Sequence, residues 1–176
     1  GELAITEVEE EFFNPASETV EGLYRLRVPE GAVLQRFAVD RNGQMVDGFV
    51  REQAQARAAY QAQVYRGSTD DPALLEWDSP GSYRARIYPI APGEVRRITI
   101  RYAEWLHPTQ DGGRRIYRYP MGGGSRAPHV QELSFQANVG RAEATEVRAG
   151  MGAVVSGGQV ELRRSDFRPH ADLFIE

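Results

Sequence analysis

Polar and apolar residues alternate along most of this chain with the period of two that marks half-buried strands. Leu3 to Phe13 reads as a first strand, with Leu3, Ile5 and Phe12 apolar and Glu7, Glu9 and Glu11 on a solvent face. Asn14-Pro15-Ala16-Ser17 is a turn, because Asn before Pro initiates one. Thr19 to Pro29 is a second strand, with Val20, Tyr24, Leu26 and Val28 on one side and Glu21, Arg25 and Arg27 on the other. Placed side by side, these two strands pair acids with bases across the ladder, each exposed pair being worth roughly 0 to 1 kcal/mol. Val33 to Asp40 follows, then Asn42-Gly43 and a return strand from Met45 to Val50. Asn-Gly is the strongest short hairpin signal.

The period then changes. Glu52 to Arg66 has no Gly or Pro, carries Ala56, Tyr60 and Val64 at four-residue spacing, and stops at Gly67-Ser68, so it predicts a helix docked through those three residues. Ala73 to Trp77 is a short apolar segment. Beyond Ser79-Pro80-Gly81, Tyr83, Ala85 and Ile87 alternate with Arg84, Arg86 and Tyr88; after the turn Ala91-Pro92-Gly93-Glu94, the segment Val95 to Leu106 reads as the partner strand. Arg115 to Tyr119 and Val130 to Val139 are further strands, with shorter ones near Thr145 to Arg148, Ala153 to Ser156 and Gln159 to Arg163. The fold class expected is therefore mainly β: an antiparallel β-sandwich with one inserted α-helix at about residues 52–66. Residues 1–164 are expected to form this domain, and 165–176, with Leu173-Phe174-Ile175, an exit segment.

A length of 176 residues, 41% of them hydrophobic, suits one domain with a real core. A net charge of -4 argues against nucleic acid as a partner. No apolar run approaches a transmembrane length. Cysteine is absent, which excludes disulfides, thiolate metal sites and a cysteine nucleophile. All 21 basic residues are arginine, which with abundant Ala, Gly and Pro points to a GC-rich bacterial genome. His107, His129 and His170 sit in loops beside proline, at a spacing that matches no metal motif. Asp78-Ser79-Pro80-Gly81-Ser82 has the outline of an Asp-x-Ser-x-Ser metal loop, but Pro80 stands where a hydroxyl must be. Gly122-Gly123-Gly124 lacks the lysine and the strand–loop–helix setting of a phosphate loop. No metal, cofactor or catalytic residue is expected, and no enzymatic activity.

The ordered motifs carry a family resemblance. They are Phe12-Phe13-Asn14-Pro15; Val20 to Leu26 leading into Pro29-Glu30-Gly31-Ala32; Asn42-Gly43; Ala54, Arg57 and Tyr60; Gly67; Asp71-Pro72; Leu74-Leu75-Glu76-Trp77; and Tyr83 to Ile90 with Pro92-Gly93-Glu94. Over about residues 2 to 106 the chain resembles the VIT domain of vault proteins and inter-α-trypsin inhibitor heavy chains. The resemblance implies a protein-interaction or scaffolding role without catalytic residues. It also implies a von Willebrand A-type domain downstream in the full polypeptide.

On the residues themselves, the candidate binding surface is an arginine-rich hairpin: Arg84 and Arg86 on one strand, Arg96, Arg97 and Arg101 on the next, with Trp105 close by. Arginine beside aromatics is the composition of interface hot spots; the competing account is a solvated face whose arginines pair with glutamates. The function expected is a scaffolding module that binds a protein partner. The alternatives are a regulatory or processing domain of an envelope protein, or an uncharacterised hydrolase, for which no local Ser, His and acid motif exists. A cell-envelope or secreted setting is favoured over the cytoplasm. Both ends read as cut from a longer polypeptide. An unpaired sheet edge is therefore expected, filled by self-association or by the C-terminal segment, with Val130 to Val139 one candidate edge.

Overall fold

The computed structural model describes residues 2–52, 74–121, 127–140, 142 and 144–176. Their strands are β1 (Glu2–Phe13), β2 (Val20–Arg27), β3 (Val33–Arg41), β4 (Gln44–Asp47), β5 (Phe49–Glu52), β6 (Leu74–Ser79), β7 (Ser82–Ile90), β8 (Val95–Leu106), β9 (Tyr117–Tyr119), β10 (Val130–Asn138), β11 (Val154–Ser156), β12 (Gln159–Phe167) and β13 (Leu173–Ile175). The chain divides into two compact units, Ile5–Glu104 and Gly1–Ala4 with Trp105–Glu176.

In the first unit the strands form two four-stranded sheets, ordered β1-β8-β3-β4 and β2-β7-β6-β5. Alternation puts Tyr24, Leu26, Phe37, Val39, Leu75, Ala85, Ile87, Ile98, Ile100 and Tyr102 into one buried cluster fed by both sheets. Ile98 and Leu75 have no solvent exposure. The Asn42-Gly43 hairpin forms between β3 and β4, pairing Arg41 with Gln44; Asn42 and Gly43 both take positive φ, 52° and 80°, as a two-residue hairpin of the right twist requires.

Three expectations are corrected. The class of an antiparallel sandwich with an inserted helix gives way to an all-β arrangement of four separate sheets, with no helix among the described residues. Glu52, expected to open the helix, instead ends β5, whose backbone is taken up by a parallel ladder with β6 that pairs Phe49 with Leu74 and Glu52 with Trp77. The rest of the expected helix, 53–66, lies outside the described residues. Secondly, β1 and β2 are not ladder partners: β1 lies beside β8 and β2 beside β7. Thirdly, β7 and β8 are not a hairpin either. The turns after Phe13 and Ile90 each carry the chain from one sheet to the other, so the tight-turn residues that read as hairpins are sheet-to-sheet corners.

In the second unit β10 lies beside β12, which also pairs with β11, and β13 pairs with β9. Val160, Leu162, Leu173 and Ile175 are buried, and Phe135 packs against Tyr117 and Tyr119. The segment 165–176 is thus held in place: Ser165 and Phe167 pair with β10, and Leu173 pairs with Tyr119.

Candidate functional site

Asn14 ties the two corners of the first unit together. It is 5% exposed. Its Nδ2 donates to the carbonyls of Glu18, Ile90 and Ala91 at 3.0, 3.0 and 3.1 Å, and its Oδ1 accepts the Ala16 N–H at 3.0 Å. Its backbone donates to Glu94 O and accepts from Gly93 N. Phe12-Phe13-Asn14-Pro15 and Pro92-Gly93-Glu94, far apart in sequence, are therefore one hydrogen-bonded joint. Arg96 closes it from below. Its guanidinium is 9% exposed, pairs with Glu94 at 2.6 Å, and donates to the carbonyls of Asp40 at 2.8 Å and Pro89 at 2.5 Å. Such a buried charge is tolerated because it is paired and hydrogen-bonded.

Beside this joint lies an open, mainly apolar groove of about 240 Å³, lined by Phe12, Phe13, Val20, Leu23, Tyr24 and Ile90 among others, with Arg96 also on its wall. Its rim is exposed: Phe13 is 61% and Leu23 56% accessible. Both residues break the alternation of their strands. Phe13 follows Glu7, Glu9 and Glu11 in the solvent phase of β1, and Leu23 stands between Glu21 and Arg25 in that of β2. That phase violation is the sequence signal for the groove, and the strand assignments of Leu3 to Phe13 and Thr19 to Pro29 give Phe13 and Leu23 no role. Asn14 was likewise read only as a turn former.

The arginines anticipated as one surface are distributed over two sheets. Arg84 and Arg86 on β7 pair with Asp78 and Glu21. Arg97 on β8 pairs with Glu9 and Glu11, and Arg101 with Glu7. The acidic face of β1 is thus matched by β8. The descending order of partners, Glu7 to Arg101 and Glu11 to Arg97, marks β1 and β8 as antiparallel. Arg96 faces inward into the corner joint, and Trp105, 59% exposed, belongs to the second unit.

On the inner face of β1, burial pushes the Glu10 carboxyl above its ordinary range, and a hydrogen bond from Tyr24 partly counters this. Burial also raises Glu104. No group of three or more His, Asp or Glu side chains placed to hold a metal occurs among the described residues. In the second unit His129 Nε2 lies 2.6 Å from Asp166, both exposed.

The model of the vault protein inter-alpha-trypsin domain matches residues 1–102. The chain belongs to the VIT domain family. The matched region takes in both corners of the Asn14 joint and every residue of the groove. A comparison with curated proteins found no match.

Proposed function

We propose that this VIT domain is a non-catalytic protein-binding module that works as a scaffold beside a von Willebrand A-type domain of the same polypeptide. The observation that carries the reading is the open apolar groove rimmed by Phe13 and Leu23. Large apolar side chains held in the solvent phase of two strands, over a rigid hydrogen-bonded joint, are the features of a surface kept for a partner. The groove's lining also fits poorly with catalysis: its polar side chains, Asn14, Tyr24 and Arg96, are already engaged within the fold.

A photoreactive side chain at Leu23, in the polypeptide as the cell makes it, tests the reading. Cross-linking to a polypeptide is expected, and Phe13→Ser should reduce it strongly. Labelling by solvent alone would sink the proposal. The architectural part is tested by the gene beyond residue 176, which should encode an intact Asp-x-Ser-x-Ser loop.

A further inference from the structure

We infer that the partner seated on this groove is a second copy of the chain, with β1 of each copy joining the edge of β2 of the other in an antiparallel ladder. The inference rests on the protein-binding reading above and names its partner. Among the described residues β1 and β2 are each the outermost strand of their sheet. An outermost strand presents a row of unpaired N–H and C=O groups that template another strand. Neither β1 nor β2 contains the proline that commonly blunts such an edge.

The register follows from one contact. The rings of Phe12 and Tyr24 meet edge to face at 5.8 Å, so these residues lie at one level on the two facing sheets. The chain reverses between them through 14–19, so Phe13 lies level with Leu23, Glu11 with Arg25 and Glu9 with Arg27. A twofold axis parallel to the strands carries the β2 edge of one copy onto the line of the β1 edge of the other. Rotation about such an axis preserves level and strand direction. It sets Phe13 opposite Leu23 of the other copy, Glu11 opposite Arg25 and Glu9 opposite Arg27, and the contact is isologous and closes.

The chemistry of these positions agrees with that register. All six residues are on the solvent faces of their strands, and the axis brings solvent face beside solvent face. Phe13 and Leu23 are the exposed rim of the groove. Arg25 and Arg27 have no carboxylate partner among the described residues, unlike Arg84, Arg86, Arg97 and Arg101. Cross-strand neighbours of opposite charge stabilise a ladder, and like charges oppose it. The edge strand β10 offers no such match, since its exposed positions Gln131, Glu132, Ser134, Gln136 and Asn138 carry a single charge.

Sedimentation velocity of the 176-residue chain, in a concentration series up to about 1 mM, tests the inference. A reversible dimer is expected. Arg25→Glu alone, or Glu11→Arg alone, places like charges at both junctions and should weaken the dimer about tenfold or more. Mixing the two variants places opposite charges at both junctions and should restore dimers of unlike chains. Circular dichroism checks that each variant is folded, and Arg27→Glu with Glu9→Arg gives a second swap should the first pair fail to fold. A monomer throughout the series overturns the inference. So does a dimer indifferent to both swaps, as pairing through β10 would be. If the chain is monomeric and the probe at Leu23 still captures a different polypeptide, this inference fails while the protein-binding reading stands.

Discussion

Replacing Asn14 is the most direct test of the joint on which the groove is built. Three carbonyls share the two amide hydrogens of Asn14, and Oδ1 takes one N–H, so about three full hydrogen bonds are at stake. At a net value of about 1 kcal/mol each, Asn14→Ala should cost about 3 kcal/mol. The bond to Ile90 O is buried, so the orphaned carbonyl keeps the loss from relaxing away. For a unit of about 100 residues, that lowers the melting temperature by roughly 15 °C. Asn14→Asp separates donation from volume. It keeps the shape but aims a carboxylate at three carbonyl oxygens, so at neutral pH it should cost more than alanine. The buried Asp carboxyl would have its pKa raised in the folded state. The folded protein then binds the proton more tightly than the unfolded chain, and stability returns as pH falls through that raised pKa. Urea denaturation followed by far-ultraviolet circular dichroism, at pH 7 and pH 4, measures both effects. An alanine variant that loses less than about 1 kcal/mol, or an aspartate variant as stable as the parent at pH 7, would refute the account of the joint.

Other substitutions probe the rest of the first unit. Ile98→Ala, at a site with no exposure, should cost about 2 to 5 kcal/mol in the same denaturation assay. Gly81→Ala should cost about 2 kcal/mol, because its φ of 70° disfavours a side chain and a Cβ would stand 2.8 Å from Val28 O. Arg86→Ala removes an exposed pair with Glu21, a contribution of less than about 1 kcal/mol that shrinks further in high salt. Glu10→Gln should raise stability at neutral pH. The folded-state pKa of Glu10 is raised by burial, so its ionisation penalises the fold as pH climbs above the unfolded value near 4.5, and the glutamine variant's advantage should vanish below that pH.

Much of this architecture was legible in the alternation of single strands. Tyr24, Leu26 and Val28 fall on the apolar side of their strand in the sequence, and all three are buried. The Asn42-Gly43 turn was readable because its chemistry is local: two positive φ values between two short strands. Pairing was not readable in the same way. Ala91-Pro92-Gly93-Glu94 has the residues of a tight turn, and a tight turn joins ladder neighbours as readily as it turns a corner. What decides between them is whether something outside the turn holds the corner, and here that is Asn14, more than seventy residues earlier. The acidic face of β1 illustrates the same limit. Glu7, Glu9 and Glu11 called for a basic strand alongside, and both β2 and β8 supply arginines at the right period. Residue type gave no means of choosing between them. The two corner turns choose: they send β2 and β7 to one sheet and leave β8 beside β1 in the other.

The same choice creates the surface proposed to bind. If β1 and β2 were hairpin partners, Glu9, Glu11 and Phe13 would have met Arg27, Arg25 and Leu23 within one molecule, and the edge would be closed. The corner at Asn14 separates the two strands into different sheets at the same level, so each keeps its half of a complementary set facing outward. Arg97 and Arg101 neutralise the β1 half inside the fold, but for the β2 half no carboxylate faces Arg25 or Arg27 among the described residues. A joint that satisfies every polar group of Asn14 while leaving apolar Phe13 and Leu23 in water stabilises the corner at the expense of the rim. That imbalance is relieved when the same two strands meet between molecules.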